Sequence, residues 1–474
     1  MDITAKLWSY CHILRHDGVD SADYVEQLTY LLFLKMADES DISIPENCRW
    51  QEMIKLSGEE LKLFYENALQ TLKNENNILG LIFQEPISRI QNPASLKKII
   101  VGIESINWTE LDKDVQGEAF EGLLEKTANE GKKGAGQFFT PRPLIQAIVN
   151  VMKPNPLENK DLDKNGFKIG DVAMGTGGFL MVAVAWQKEF LKAKKLTEKQ
   201  ENYIRNNAFY GQELVVRPYR LALMNLFLRG VDATKTLKIG DSIYTEVVAK
   251  ESLDCVLTNP PFGSRGTLGS PKERKFEVET SNIQINFIQH IYEMLKDRGR
   301  AAIVLPDSCL TDAKAKEVWQ ILIEHKNCNL HTILRLPRGT FTPYANGVKA
   351  CVVFLQKGEP TENVWVYDAR ANVPSITKKS RPLNYDLHFD SFVNCYGENP
   401  NGTSKRKETD NFKRFSSQEI RENHYELDFK WLEDDILLDE AELSKPYVYA
   451  EKVVSELEDI KNHFEAIMDL LQTK

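Results

Sequence analysis

The chain has 474 residues, 42% of them hydrophobic and 27% charged, so we expect a globular protein of two or three domains, because one core rarely organises so long a chain. Its formal net charge of -9 argues against a protein that coats nucleic acid unaided. Seven singly scattered cysteines, and apolar runs far shorter than the ~20 residues of a membrane span, exclude a disulfide scaffold and a membrane protein and predict a cytoplasmic location.

Residues 1–130 are predicted to form a helical domain. Apolar side chains recur at helical spacing in four segments, at 3–14, 25–36, 61–72 and 96–103. Ser57 begins a capping-box pattern, and Asn92 precedes Pro93 as an N-cap precedes a proline at the first helical position. Nothing here resembles a catalytic constellation, so the chemistry is expected further along the chain.

Glycines and lysines at 131–136 predict a flexible linker into a second domain, placed at 131–375. The next segment consists of Gln137, Phe138, Phe139, Thr140, Pro141 and Arg142. Thr140 is a predicted N-cap with Pro141 at the first helical position. Two adjacent aromatic rings ahead of a cap suit a wall over a flat ligand, and a hydrophobic staple that fixes the entry of the helix is an equally good interpretation.

A glycine-rich turn joins a predicted strand at 167–173 to a predicted helix at 179–194. It consists of Met174, Gly175, Thr176, Gly177 and Gly178. Such a turn brings backbone amides close to a nucleoside ligand, but its spacing is that of neither a dinucleotide fingerprint nor a phosphate loop. Preceded by Asp171, it favours a small cofactor with an amine and a carboxylate, such as S-adenosylmethionine. A tight structural turn is the alternative.

Polar side chains follow four predicted strands, at or just beyond the carboxyl end of each. They are Asp171, Glu213, Asp241 and Asn259. Because the carboxyl ends of parallel strands form the ligand-binding edge of an open α/β sheet, we expect these side chains to lie together. Glu213 is expected to accept hydrogen bonds from ribose hydroxyls, and Asp241 from an adenine amine.

The fourth of these strands runs into Asn259, Pro260, Pro261 and Phe262. Two prolines cannot donate to a sheet ladder, so the strand must end there in a rigid turn. The Asn259 side-chain oxygen and the Pro260 carbonyl can accept from an aromatic amine such as adenine N6, which makes the nitrogen lone pair more available. Phe262 can stack on the base, a contact worth ~1–3 kcal/mol. An ordinary surface turn is the alternative interpretation.

A polar loop at 263–285 carries basic residues suited to phosphate contact, although such a charge run is usually just solvated. Strands are then predicted at 301–305, 332–336 and 350–356. The last two complete the predicted sheet. On the connection between them, Phe341 and Tyr344 are expected near the mouth of the pocket.

Residues 376–474 are predicted to form a C-terminal extension. Within it, residues 396–414 are rich in glycine, asparagine and basic residues, which predicts a mobile surface segment. From Val453 to Leu471, apolar residues recur at alternating intervals of four and three, the seam of a coiled-coil helix. This seam requires a partner helix, and a helix of another chain is slightly favoured over one in this chain.

In this order, the segment 137–142, the turn 171–180, Glu213, Asp241 and the turn 259–262 resemble the gamma-class adenine-N6 DNA methyltransferases. The resemblance is closest to the modification (M) subunit of type I restriction-modification enzymes and covers nearly the whole chain. It implies the Rossmann-like α/β sheet of S-adenosylmethionine-dependent methyltransferases, preceded by an all-helical domain and followed by a helical tail.

The resemblance also implies roles for individual residues. Residues 137–142, 176–178 and Glu213 would contact S-adenosylmethionine, and residues 259–262 would hold an adenine flipped out of double-stranded DNA. The strand-end pattern adds Asp171 and Asp241 to the predicted cofactor site, and the glycine-rich turn adds Met174 and Gly175. No metal ligands are expected.

The sequence departs from the family pattern at two places. Met174 stands where the family commonly has cysteine, which should affect only local packing because the backbone makes the turn. Asp307 and Ser308 replace a frequent Asn-Gly pair.

Partners follow from the resemblance as well. It implies double-stranded DNA, a separate specificity (S) subunit docked on the terminal helix, a second M subunit and, in some assemblies, a restriction (R) subunit. The acidic balance and the small space left for a target-recognition domain agree with this. Three alternatives stay open: a freestanding adenine methyltransferase, a glutamine-amide protein methyltransferase, and a catalytically silent scaffold that clamps DNA.

Overall fold

A helical N-terminal part precedes a mixed sheet with helices on both faces. The computed structural model describes residues 3–20, 23–39, 42–108, 122, 140–244, 250–262, 275–342, 348–370, 373, 376–377, 381–429 and 431. The predicted segments at Gln137 to Phe139, at Tyr344 and at 453–471 lie outside these residues, as does most of the basic loop.

The predicted helical N-terminal part is confirmed. Its described α-helices are α1 (Ile3–His16), α2 (Tyr24–Asp38), α3 (Trp50–Met53), α4 (Gly58–Leu72), α5 (Ile78–Ile82) and α6 (Pro93–Glu104). Asn92 caps α6 by accepting from the Ala94 amide at 2.9 Å, as predicted. Ser57 stands at the N-cap of α4, but its side chain makes no capping hydrogen bond, so the capping-box prediction is wrong there.

Ten further helices lie among the described residues after residue 140. They are α7 (Arg142–Met152), α8 (Leu162–Asn165), α9 (Gly178–Leu191), α10 (Glu198–Asn207), α11 (Val216–Leu228), α12 (Ile283–Met294), α13 (Ala313–His325), α14 (Tyr385–His388), α15 (Asp390–Tyr396) and α16 (Ser417–Glu422). Helix α7 begins later than predicted, with Pro141 at the N-cap. Thr140 is therefore not the cap, and its hydroxyl is left for a different contact.

Nine strands of the described residues form one sheet in the order β3-β2-β1-β4-β5-β7-β6-β8-β9. They are β1 (Ile169–Asp171), β2 (Phe209–Glu213), β3 (Leu237–Ile239), β4 (Leu253–Thr258), β5 (Leu295–Pro306), β6 (Cys328–Arg335), β7 (Ala350–Lys357), β8 (Asn363–Asp368) and β9 (Phe412–Ser416). Strands β7 and β9 run antiparallel to their neighbours and the other pairs are parallel. This is the predicted Rossmann-like α/β sheet.

The prediction that the sheet ends near residue 356 is wrong. Strand β8 pairs with β6, and β9 pairs with β8, so the sheet continues beyond the predicted boundary at residue 375. Residues 396–414, which were predicted to form a mobile segment, are anchored to the sheet through Arg406. This half-buried side chain donates to the Tyr396 carbonyl and to the Thr332 hydroxyl of β6, both at 2.9 Å. Its guanidinium also lies 4.6 Å from the Tyr396 ring centre.

The core divides along the sheet. In β4, Cys255 and Leu257 pack on the face that also buries the N-terminal helices, whereas Val256 packs on the opposite face. The N-terminal helices therefore share a continuous core with the sheet, for example where Phe33 of α2 meets Phe227 of α11 edge to face at 5.3 Å. Helix α11 thus connects the helical part to the edge formed by β1 and β2.

The described residues contain no membrane-spanning helix, no metal cluster and no disulfide. Among the described helices, none has both the length and the apolar character needed to cross a membrane. No group of three or more metal-ligating side chains is found within the described ranges. All seven cysteines are free thiols, and six of them are buried.

Candidate active site

The four polar residues predicted at strand ends do meet at one edge of the sheet. Asp171 is the last residue of β1, Glu213 is the last of β2, and Asn259 directly follows β4. Strands β3, β2, β1 and β4 are adjacent and parallel, so their carboxyl ends lie side by side. The order of the strands reverses between β1 and β4, which is where open α/β sheets form a ligand crevice.

The glycine turn is built by left-handed backbone and braced by Glu213. Gly175 and Gly177 have φ angles of +54° and +83°, which residues with a Cβ rarely adopt. The Glu213 carboxylate accepts from the Gly175 amide at 2.9 Å and from the Val215 amide at 3.0 Å. Burial raises the pKa of Glu213. Each carboxylate oxygen has a second lone pair, so the predicted ribose contact stays possible and stays a prediction.

Helix α11 supports the same turn from behind. The Asn225 side-chain amide donates to the Thr176 carbonyl at 2.8 Å. A Cβ placed on Gly177 would lie 3.3 Å from the Ala222 Cβ, so the turn lies close against the helix. Sequence reasoning missed Asn225 as a brace, because 49 residues separate it from its partner.

Met174 fills local space, as predicted for this departure from the family pattern. A Cβ on Gly211 of the adjacent strand would lie 2.4 Å from the Met174 sulfur, so the thioether occupies the room that this glycine leaves. The Met174 amide donates to the Gln212 carbonyl at 3.1 Å. The side chain packs under the turn, and the backbone makes the turn.

Asp171 braces the strand ends from inside the protein. Its side chain accepts from the Thr258 hydroxyl at 2.7 Å and from the Ala173 amide at 3.1 Å, and only 2% of the residue is exposed. Burial raises the pKa of this carboxyl to about 7, although both hydrogen bonds oppose the rise. The observed contacts connect β1 to the residue before Asn259.

The raised pKa of Asp171 predicts a pH-dependent stability. The folded protein holds this proton more tightly than the unfolded chain, so the contribution is full in acid and is lost as the pH rises from about 4 to about 8. Asp171→Asn keeps an acceptor without a titrating group. The free energy of unfolding in urea should fall with pH less steeply in Asp171→Asn than in the wild type. Parallel pH profiles would contradict the assignment.

Asn259 combines one fixed hydrogen bond with one vacant acceptor. Its side-chain nitrogen donates to the Thr140 hydroxyl oxygen at 2.9 Å. Its side-chain oxygen, Oδ1, is buried and has no hydrogen-bond partner among the residues that the structure describes. An unsatisfied buried acceptor costs about 1–3 kcal/mol, so native proteins rarely keep one without a reason.

The prolines and the phenylalanine that follow Asn259 are held differently from one another. The Pro261 carbonyl accepts from the Gln284 side-chain amide of α12 at 2.6 Å. Within the described residues, none donates to the Pro260 carbonyl. The half-buried Phe262 ring meets the buried Phe341 ring edge to face at 5.5 Å, so Phe341 packs beside the turn.

Asp241 and three apolar side chains complete the described edge. Asp241 accepts from the Ile243 amide at 2.9 Å and from the Tyr244 amide at 3.1 Å, which fixes the loop after β3. Leu214, Val215 and Ile239 expose between 36% and 45% of their surface next to Glu213. Exposed apolar groups beside a carboxylate suit a nucleoside, and sequence reasoning missed them because apolar residues at strand ends are usually buried.

Asp307 lies at the same edge, directly after β5. Its carboxylate lies 3.6 Å from the Arg335 guanidinium and 3.7 Å from that of Arg370. Burial raises the pKa of Asp307, while the two arginines lower it. A neutral asparagine, the residue that the family often has here, would not form these ion pairs, so the departure adds a charge network that connects β5, β6 and β8.

The chain matches two protein families. Residues 111–434 match the N-6 DNA Methylase family, and residues 3–43 match the HsdM N-terminal domain. The chain therefore belongs to the N-6 DNA methylase family. This N-6 DNA methylase is similar to the type I restriction enzyme StySPI methylase subunit of Salmonella potsdam, with 36% identity that covers 98% of this chain and 94% of that protein.

Solved structures agree with the family. The crystal structure of the type I restriction enzyme EcoKI M protein matches this N-6 DNA methylase with a TM-score of 0.56 and 30% identity, covering 98% of this chain and 96% of that one. A structure described for complex assembly and conformational transition of the type I R-M system matches with a TM-score of 0.73 and 25% identity, covering 100% and 98%. The protein is thus an adenine-N6 DNA methyltransferase, and its methyl donor is S-adenosylmethionine.

Proposed function

We propose that this methylase modifies DNA as the modification subunit of a type I restriction-modification complex, with Asn259 and Pro260 as the acceptors for the adenine N6 amine. Flipping the base out of the duplex costs a few kcal/mol, and the pocket offers hydrogen bonds and stacking in return. Phe262 would stack on the flipped base. When bound, S-adenosylmethionine supplies an electrophilic methyl group.

The observation that carries this proposal is the buried Oδ1 of Asn259, for which the described part of the chain offers no hydrogen-bond partner. The neighbouring polar groups of the turn are paired, since Thr258 donates to Asp171 and the Pro261 carbonyl accepts from Gln284. The Asn259 Oδ1 atom and the Pro260 carbonyl oxygen remain as acceptors. An exocyclic amine has two N–H bonds and so requires two acceptors. Such acceptors orient the amine and increase the availability of its lone pair without a titratable base.

The cofactor is proposed to bind along the glycine turn and the apolar patch after β2. The fold fits a nucleoside there, because the left-handed turn presents backbone at the start of α9 and Glu213 lies beside exposed Leu214 and Ile239. Gln137 to Arg142, Asp171, Met174 to Gly178, Glu213 and Asp241 make up the proposed site. Of these, Asp171 and Met174 act from behind the turn through packing and hydrogen bonds, and the Thr140 side chain contacts Asn259 and not the cofactor.

The glycine turn gives a direct test of the cofactor site. A Cβ on Gly175 would meet no atom within 4 Å, so Gly175→Ala adds a methyl group to the open side of the turn and strains the backbone. We expect the affinity for S-adenosylmethionine to fall about tenfold or more, which is about 1.4 kcal/mol. Gly18→Ala is the matched control, because Gly18 also has a positive φ and open space but lies after α1. Calorimetric titration showing equal affinities for the two variants would contradict this placement.

The specificity subunit and DNA are proposed as partners, with a second modification subunit and, in some assemblies, a restriction subunit. The relatives are named as type I restriction enzyme methylase subunits, and the net charge of -9 favours a partner that shares the DNA contact. The free thiols fit a cytoplasmic enzyme. Truncation before Tyr447 should abolish co-purification with the specificity subunit while S-adenosylmethionine binding is retained. Co-purification after this cut would exclude the terminal helix as the docking site.

Radiolabelled methyl transfer tests the function as a whole. The acceptor is genomic DNA from a host strain that lacks the modification genes, assayed with and without the specificity subunit. Transfer that requires this subunit supports the proposal. Transfer at an equal rate without it would indicate a freestanding enzyme, and no transfer in either assay would indicate a silent scaffold. Transfer to protein glutamine alone would indicate the third alternative.

A further inference from the structure

We propose that Thr140 is the positioning residue that turns the Asn259 carbonyl toward the adenine, an inference that rests on the function proposed above. Thr140 was predicted to cap α7 and to contact the cofactor. The cap is Pro141 instead, and the Thr140 hydroxyl oxygen accepts from the Asn259 side-chain nitrogen at 2.9 Å. These residues are 119 positions apart in the chain.

The orientation of an asparagine amide is a two-fold choice, because the terminal torsion is soft and the two ends are similar in size. In one orientation the NH2 group meets Thr140 and Oδ1 lies on the other side of the amide, and in the flipped orientation the two groups exchange places. Only the first can accept from the adenine amine, since the second would place the NH2 donors of Asn259 against the N–H donors of adenine. A hydroxyl can donate or accept, and in the observed arrangement the Thr140 hydroxyl oxygen accepts from the NH2 group of Asn259, which holds the amide in the first orientation.

The remainder of the turn is already fixed without Thr140. The Thr258 hydroxyl binds Asp171 at 2.7 Å, and the Gln284 amide binds the Pro261 carbonyl at 2.6 Å. These two bonds hold the chain on both sides of Asn259, and neither contacts its amide. The hydrogen bond to Thr140 is therefore the contact that fixes the terminal torsion of the Asn259 amide.

Thr140 is itself well placed for this task. It is 9% exposed, and the next residue, Pro141, accepts from the Leu144 and Ile145 amides at 3.0 and 3.1 Å. Ile145 packs toward the glycine turn, since a Cβ on Gly178 would lie 3.2 Å from its Cδ1 atom. Thr140 is thus held at the start of a buried helix that also contacts the cofactor turn.

The test separates positioning from cofactor binding. Thr140→Val keeps the shape and removes the acceptor, whereas Thr140→Ser keeps the hydroxyl. In the complex with the specificity subunit, we expect Thr140→Val to lower the single-turnover rate of methyl transfer by about 10- to 100-fold. The dissociation constant for S-adenosylmethionine, measured by calorimetry on the same complex, should stay at the wild-type value, and Thr140→Ser should restore most of the rate.

Each outcome decides the question. Weaker S-adenosylmethionine binding by Thr140→Val, with a normal rate at saturation, would make Thr140 a cofactor contact and overturn the inference. A wild-type rate in Thr140→Val, when Asn259→Ala is inactive, would overturn it while leaving the proposed function intact. An active Asn259→Ala would overturn the proposed function itself. Thr140→Ala is measured in parallel, so that a folding defect in the valine variant leaves a second variant to decide.

Discussion

Asn259→Ala is expected to lower the rate of methyl transfer by ~10²–10³-fold, the usual loss when one preorganised hydrogen-bonding group is removed from a reacting centre. The side chain supplies the acceptor that orients the adenine amine, and alanine supplies none. The affinity for S-adenosylmethionine should be unchanged, because the glycine turn and Glu213 hold their hydrogen bonds without Asn259. Single-turnover transfer and calorimetry on the same preparation measure the two effects.

Asn401→Ala is the matched control for this experiment. Its side-chain oxygen is also buried and has no partner within the described ranges, but Asn401 lines a polar cleft with Asp254 and His331, away from the carboxyl ends of β1 and β4. We expect it to methylate DNA at the wild-type rate. If both variants lost activity equally, the loss would come from an unsatisfied asparagine in general, and Asn259 would have no special role in the reaction.

Strands β1 and β4 of the parallel half were predictable because they are buried on both faces. Strand β4 is mostly apolar and is followed by Asn259 and two prolines, and β1 is followed by a glycine turn, so both the element and its end are visible locally. That is why Asp171, Glu213, Asp241 and Asn259 were correctly placed at one edge.

Strands β8 and β9 were not predicted, and their sequences differ in how strongly they indicate a strand. Strand β8 contains Val364, Trp365, Val366 and Tyr367, residues typical of a strand, so a closer reading of the sequence would have found it. Strand β9 consists of two phenylalanines among basic and hydroxyl residues at the edge of the sheet, and only its pairing with β8 makes it a strand. Its formation depends on tertiary contact that no local pattern contains.

Contacts between site residues were not predictable from spacing. Thr140 and Asn259 lie 119 positions apart, and Gln284 lies 23 positions from Pro261, so no periodicity connects them. Residue type also leaves the contacts of Asp171 open. An acid at a strand end suggests a ligand contact, and the fold adds that this carboxylate accepts hydrogen bonds from Thr258 and Ala173. Sequence chemistry identifies which groups are present, and the fold decides which of them are already paired.

Arg220→Met is expected to give the largest loss of stability, about 3–5 kcal/mol, because it removes one partner of a buried ion pair. Arg220 of α11 is 2% exposed and donates to Glu26 and to the Tyr30 hydroxyl of α2, and also to the Gln84 carbonyl. Its guanidinium carbon lies 5.1 Å from the Tyr30 ring centre. Methionine leaves the Glu26 carboxylate and the other acceptors without their donor. The free energy of unfolding in urea measures the loss.

Arg217→Met is the matched control, since Arg217 also connects α11 to α2 through its 3.1 Å contact with Asp23 but is 33% exposed. An exposed pair contributes about 0–1 kcal/mol, so this variant should unfold near the wild-type midpoint.

Adding Glu26→Gln to Arg220→Met should recover part of the loss, because the buried charge is then removed. Equal losses for the two arginine variants would mean that the ion pair does not connect the helical part to the sheet. Because α11 also carries Asn225, a loosened Arg220 contact should weaken S-adenosylmethionine binding as well.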